Sequence, residues 1–206
     1  ILCSGTIGSP QILLRSGIGA ADHLETISIK PRVHLPGVGK NLHDHCLGAG
    51  NIYHSRRPLP QSKYQHSESL FYLNSEDTTP APDLVLACVT LPVVTEQFEM
   101  PNIDSAYTLL YGVTSPESRG FLRLQSADPY APPIIDPHYL STSKDRDRFL
   151  DALDLARDIG GSKMFSDWRK REHLPSLEVR SEARRREFNR AAAYTHHHPV
   201  GTCRMG

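Results

Sequence analysis

The residues best suited to chemistry in this 206-residue chain stand together near its end: His196, His197 and His198, followed by Pro199, Val200, Gly201, Thr202, Cys203, Arg204, Met205 and Gly206. Imidazole titrates near neutral pH, so a histidine held by a rigid neighbour can accept a proton from a hydroxyl. Pro199 locks its own φ and biases His198 towards extended backbone. Gly201 allows a turn or a close approach to a ligand. In an extended segment side chains alternate with period two, which puts His196 and His198 on one face and His197 on the other. The residues alone leave two readings of His198: a general base, or a histidine satisfied by backbone partners in a tight corner. A zinc site is the third chemistry that a histidine triplet invites. Adjacent residues diverge in direction and no acidic or cysteine ligand accompanies them at a recognisable spacing, so no metal is expected.

The elements that must position this corner begin at the other end of the chain. Ile1 to Cys3 reads as the end of a strand running into the Ser4-Gly5-Thr6 turn. Ser9 is the expected N-cap of a helix with Pro10 at its first position. Ile12, Leu13 and Leu14 supply the buried face, and Gly17 or Gly19 ends it. Strand, glycine turn and helix form the unit from which nucleotide-binding α/β sheets are built, although such turns are commonly glycine-rich for packing alone. A short helix over Asp22–Ile27, a short strand over Pro31–Leu35 and a turn at Gly37-Val38-Gly39 follow. Beyond Gly48, extended segments are predicted at Asn51–His54, Leu70–Leu73, Asp83–Thr90, Tyr107–Val113 and Gly120–Gln125, a pattern that suits an antiparallel sheet. Gln61–Ser67 and Ser75–Pro82 read as polar loops. Ser143 opens a helix with Asp145 and Asp147 in its first turn and Phe149, Leu153, Ala156 and Ile159 on its core face. A second helix spans about 181–193, and its Arg184-Arg185-Arg186 run reads as a solvated face.

Composition excludes several function classes. Lys plus Arg and Asp plus Glu number 23 each, so the chain carries no net charge with His neutral. No global basic field argues for nucleic acid. The longest apolar runs, such as Leu84–Val89, are far too short to cross a bilayer. The opening Ile1-Leu2-Cys3 is no leader and reads as a piece of a longer protein. Cys3, Cys46, Cys88 and Cys203 form no C-x-x-C pair; they read as small buried hydrophobes and fit a reducing compartment.

Three motifs together resemble the glucose-methanol-choline (GMC) oxidoreductases. His198-Pro199-Val200-Gly201-Thr202-Cys203-Arg204-Met205-Gly206 matches that family's His-Pro-x-Gly-Thr-x-Arg-Met-Gly. Gly5 to Gly19 is similar to its second signature, with Ser9-Pro10, an apolar helix and Ser16-Gly17-Ile18-Gly19. Leu35-Pro36-Gly37-Val38-Gly39-Lys40-Asn41-Leu42-His43-Asp44-His45 follows at the family's spacing, and Ser115–Gly120, Asp128-Pro129 and Ile135–Leu140 resemble its substrate domain. The resemblance implies an α+β chain: residues 1–47 from an incomplete α/β FAD-binding domain, 48–193 forming an antiparallel-sheet substrate domain with flanking helices, and 194–206 returning to the FAD domain. It implies FAD as cofactor and a small-molecule alcohol as substrate, with His198 as the base and His196 as a second active-site group. Ser4, Gly5 and Thr6 fall near the cofactor's ADP portion. Asn41, Asp44 and His45 form a hydrogen-bonded hinge, with Asn41 and Asp44 also counted among cofactor contacts. The Thr195-His-His-His-Pro run looks most like branches acting on hydroxymethyl aromatic compounds, with choline-type dehydrogenases as the broader alternative. A non-catalytic remnant and a cyanohydrin lyase on the same fold are the competing readings. The family's upstream GxGxxG turn and downstream active-site segment are not in the sequence, so residues 1–206 alone are expected neither to hold FAD nor to turn over an alcohol.

Overall fold

A computed structural model describes residues 1–60, 62–77 and 80–205. Gln61, Thr78 and Thr79 of the expected polar loops, and Gly206 of the terminal motif, lie outside the described residues. In chain order the elements are α1 (Gly5–Arg15), β1 (Ile18–Gly19), α2 (Ala21–Thr26), β2 (Val33–His34), β3 (Lys40–Leu42), β4 (Cys46–Gly48), β5 (Ile52–Ser55), β6 (Ser67–Leu73), β7 (Leu84–Val89), β8 (Ala106–Val113), β9 (Gly120–Arg123), β10 (Ile134–Asp136), α3 (Ser143–Gly161), β11 (Arg169–Leu174), α4 (Glu182–Ala192) and β12 (Ala193–Thr195). The mixture of helix and antiparallel sheet is the α+β class expected. The chain divides into two compact units: residues 1–44, 118–141 and 197–206, and residues 45–117 and 142–196. The segment Ser118–Ser141, expected inside the 48–193 domain, folds with the N-terminal residues because β9 pairs with β3 and β10.

In the first unit α1 packs its apolar face into a core of Leu14, Leu24, Val38, Leu122 and Leu124. β1 and β2 pair in parallel, and β10-β9-β3 form an antiparallel sheet. The helix begins at Gly5 and holds Pro10 in its interior, whereas Ser9 was the expected cap. The Ser9 hydroxyl does receive a backbone N–H, that of Ser4 at 3.0 Å, but from inside the helix. Gly17, at φ +80°, ends the helix in the left-handed conformation with its N–H on the Leu14 carbonyl, as the sequence predicts. Ile1, Leu2 and Cys3 are exposed and belong to no strand, because no described segment pairs with them.

The second unit is built on β8, every residue of which is buried. β7 lies along one side of it over its whole length and carries β6 on its outer edge. Two shorter strands share the other side: β4 against Tyr111–Val113 and β5 against Ala106–Thr108. β12 then pairs with β4, and β11 with β5. One face of the sheet takes α3, whose Phe149 ring meets Tyr111 at 5.1 Å and whose Ala152, Leu153 and Ala156 are also buried. Ile159, expected on that face, is half-buried. The other face holds Leu47, Val85, Ala87, Val89 and Leu110, with Tyr194 packed against them. Thr142 and Ser181 cap α3 and α4 through their hydroxyls, one residue ahead of the first helical turn in each case. The arginine run of α4 is paired within the unit: Arg185 with Asp154, and Arg186 with Glu182 and Asp147. Cys46 is buried and Cys88 half-buried, but Cys3 and Cys203 are exposed, contrary to expectation, since the one precedes α1 and the other sits in the terminal turn. Among the described residues no helix is long and apolar enough to cross a membrane.

A buried ion pair joins β7's start to α3. The fully buried Asp83 carboxylate lies 2.9 Å from Arg148 Nε and also accepts hydrogen bonds from Ser75 N and Oγ at 2.7 and 2.6 Å. Removing the carboxylate strands a buried guanidinium. Asp83→Ala is expected to lower unfolding free energy by about 3–5 kcal/mol in urea denaturation. A loss below about 1 kcal/mol, the range of exposed pairs, would contradict this role.

Candidate active site

The terminal motif is positioned by hydrogen bonds to both α1 and the β3 segment of its own unit. His43 and Val200 exchange backbone hydrogen bonds at 3.1 and 2.9 Å, and Gly39 N–H donates to the Thr202 carbonyl at 2.9 Å. Between these, Gly201 sits at φ +99°, where a Cβ would collide with the Asn41 carbonyl oxygen and the His43 ring. Glycine is therefore required here by both conformation and space. Thr202 is buried, and its hydroxyl donates to the Thr6 carbonyl at 2.6 Å. That carbonyl would ordinarily receive the N–H four residues on, but the residue four on is Pro10, which has none. Thr6 in turn donates its hydroxyl to the Pro199 carbonyl at 2.7 Å. The two threonines thus stitch α1 and the His-Pro-Val-Gly-Thr segment together in both directions.

His198 is exposed, and its backbone N–H donates to Asp44 Oδ1 at 2.9 Å. Asp44 is buried, with Oδ2 accepting from the Tyr139 hydroxyl at 2.6 Å. Its carboxylate therefore faces the protein's own groups, where a cofactor contact had been expected. Tyr139 escaped the sequence reading: it lies 95 positions from Asp44, and the signal available was only its membership of the Ile135–Leu140 stretch. The histidine triplet is not continuous strand. β12 ends at Thr195, and His197 adopts φ +61°. The unit boundary falls between His196 and His197. Within the second unit, His196 N–H donates to the His45 carbonyl at 3.0 Å, and the two imidazoles lie 6.0 Å apart, tilted at 47°.

A groove of about 660 Å³ opens in the first unit, lined by Gly5, Thr6, Ser9, Asn41, Gly201, Thr202 and Arg204 among others. It brings together Gly5, Thr6 and Asn41 from the predicted binding residues, while Ser4 and Asp44 do not line it. Asn41, at φ +61°, donates its amide to the Gly201 carbonyl at 3.3 Å and accepts from Arg119 Nε at 3.1 Å. Among the described residues the lining includes no carboxylate, and Gly5 and Thr6 of α1's first turn contribute to it. Such a surface suits an anionic group next to small, polar contacts. Burial raises the Cys203 thiol pKa, with a hydrogen bond to Thr202 opposing it, so this thiol stays protonated at neutral pH.

Thr202→Val keeps the shape of the side chain and removes the donor that replaces the missing N–H of Pro10. The expected loss is about 1–3 kcal/mol, the desolvation cost of an unsatisfied buried acceptor. Hydrogen exchange should quicken in the first turns of α1, and Thr202→Ser should retain most of the stability. Equal losses for Val and Ser would place the effect in packing instead.

Comparison with known proteins agrees with this geometry. Residues 1–47 and 116–206 match the N-terminal and C-terminal models of the GMC oxidoreductases. The chain is 44% identical over its whole length to pyridoxine 4-oxidase of Microbacterium luteolum, covering 41% of that protein, and 32% identical to human mitochondrial choline dehydrogenase, covering 38%. It thus spans about two fifths of the length of these relatives. The crystal structure of pyridoxine 4-oxidase from Mesorbium loti superposes with a TM-score of 0.94 at 45% identity, over 100% of this chain and 40% of that one. An Aspergillus oryzae formate oxidase shares the fold alone, at 20% identity, with a TM-score of 0.84 over 99% of this chain and 44% of its own. With both models matched, the chain belongs to the GMC oxidoreductase family.

Proposed function

We propose that this chain is part of an FAD-dependent oxidoreductase that oxidises the CH–OH group of a small alcohol, with His198 as the proton acceptor. The observation that carries the reading is the fixing of His198: an exposed imidazole on a backbone held by the buried Asp44, itself held by Tyr139. Exposure leaves the ring accessible to substrate, while the tether sets where it stands. The groove fits the cofactor by its chemistry, since it pairs small residues and α1's N-terminal end with Arg204 and, among the described residues, holds no carboxylate. Gly5, Thr6 and Asn41 would line the cofactor, and Ser4 would shape the turn through its bond to Ser9. Bound FAD supplies the hydride acceptor. His198 takes the hydroxyl proton of the substrate, and the negative charge that this leaves on the alcohol oxygen eases the loss of hydride from its carbon. His196, whose backbone N–H is held by the His45 carbonyl, is kept as the second active-site group of this reading. Identity of 44–45% with the pyridoxine 4-oxidases, against 32% with choline dehydrogenase, favours a hydroxymethyl aromatic alcohol.

In the full-length flavoprotein, His198→Gln is expected to lower kcat/KM by about 10²- to 10⁴-fold, the usual contribution of a general base. Flavin content should remain unchanged, read from the absorbance of the purified variant. Anaerobic alcohol should bleach the flavin of the parent protein and leave that of the variant oxidised over the same interval. Undiminished turnover by the variant would remove His198 from the mechanism.

Asp44→Ala keeps the imidazole but frees the backbone that positions it. Misplacement alone should reduce kcat by about 10- to 100-fold with a smaller change in KM. A change confined to flavin affinity would instead return Asp44 to the cofactor contacts.

A further inference from the structure

Two edges of the large sheet in the second unit differ in how they meet solvent. β11 bears Arg169, Lys170 and Arg171 in succession, and charge on an edge strand discourages pairing with another chain. β6 carries no Lys, Arg or Pro in its seven residues. It pairs with β7 on one side, and among the described residues no strand lies on the other. Leu70, Phe71 and Tyr72 follow one another along it, 56%, 55% and 50% exposed. Single exposed apolar residues are ordinary, whereas three in a row on an unguarded edge strand mark a pairing surface.

The backbone sets which groups this edge offers. On the β7 side the Leu73 carbonyl accepts from Asp83 N–H at 3.1 Å, and pairing runs without a break from Ser69 to Leu73. Main-chain groups of successive strand residues point to alternate sides, so the N–H and C=O of Leu70 and Tyr72 face outward. The side chains of Leu70 and Tyr72 share a face with Ala87 and Val85, their partners in β7. Phe71 stands beside Leu86 on the other face, the one on which Tyr111 meets α3.

A strand of this pattern is complementary to itself. A twofold axis through Phe71 runs two copies antiparallel and sets Leu70 of each opposite Tyr72 of the other. The outward groups of each such pair exchange two hydrogen bonds. Phe71 then meets its counterpart at a non-hydrogen-bonded position, where facing side chains come closest. An axis through Leu70 would put Phe71 opposite Ser69, and one through Tyr72 would put Leu70 opposite Asn74. The axis through Phe71 alone gives all three exposed residues an apolar partner.

We propose that β6 is a dimer contact of the full-length protein, pairing antiparallel with β6 of a second copy about Phe71 so that the two sheets become one.

Sedimentation of the full-length holoprotein over a concentration series tests this: a concentration-dependent dimer is expected, and a monomer throughout would overturn the proposal. Phe71→Lys sets two ammonium groups opposite each other and should raise the dissociation constant of the dimer by at least about tenfold. Unchanged far-ultraviolet circular dichroism is the control for folding, and an undisturbed dimer of the folded variant would place the contact elsewhere. Engineered cysteines test the register independently of that variant. Facing Cα atoms at a non-hydrogen-bonded position lie about 4.5 Å apart, within the span of a disulfide. Phe71→Cys should therefore give a covalent dimer under mild oxidation. Ser69→Cys, which faces Leu73 of the second copy, should not cross-link beyond the level of the parent protein. Equal cross-linking by the two variants would overturn the assignment. So would slow hydrogen exchange of the Leu70 and Tyr72 amides in a monomer, which would give this edge to another segment of the same chain.

Discussion

The Thr6 carbonyl organises the first unit. A proline four residues further on denies it the helical partner that every neighbouring carbonyl of α1 can find, and a hydroxyl from the far end of the sequence takes that place. The exchange is reciprocal, because Thr6 returns a hydrogen bond to Pro199. A proline inside a helix is ordinarily a defect. In this unit it is a socket whose shape only a short hydroxyl-bearing side chain fits. The turn at Gly201, the bridge between His43 and Val200, and the groove beside Asn41 are all arranged around that attachment.

His198 depends on the same construction at one remove. Its backbone is held on both sides: Pro199 by Thr6, and the N–H of His198 itself by Asp44. A buried carboxylate that accepts from a backbone amide and a tyrosine hydroxyl is fully engaged in holding a neighbour in place. The reacting group is thereby rigid without being buried, which reconciles access for a substrate with a defined position.

Much of this was legible in the sequence, and the rest was not for identifiable reasons. β7 and β8 were recognised because apolar and β-branched residues run through them, α3 because Ser143, Asp145 and Asp147 open an apolar helical repeat, and α4 because a second helix was read from about Ser181. The start of α1 was misplaced because Ser9-Pro10 carries a cap signature that a local reading must believe, while its compensation lies at Thr202. β3, β4, β10 and β12 are three residues each, too short for any periodicity, and β11 reads as a charged run. The partnership of Asp44 and Tyr139 left no local trace. The end of β12 at Thr195 and the positive φ of His197 left no mark in composition either.

β8 has one continuous neighbour on one side, along Thr108–Val113, and two shorter neighbours on the other. During synthesis β4 and β5 emerge first, yet the strand they both lean on is made only once Ala106–Val113 has left the ribosome. Until then two apolar segments, Cys46–Gly48 and Ile52–Ser55, travel as unpaired edges. Strands in that condition are the ones most exposed to pairing with the wrong chain. The yield of this fold is therefore a question of timing: whatever delays or shortens β8 prolongs the interval in which its earlier partners are open to aggregation.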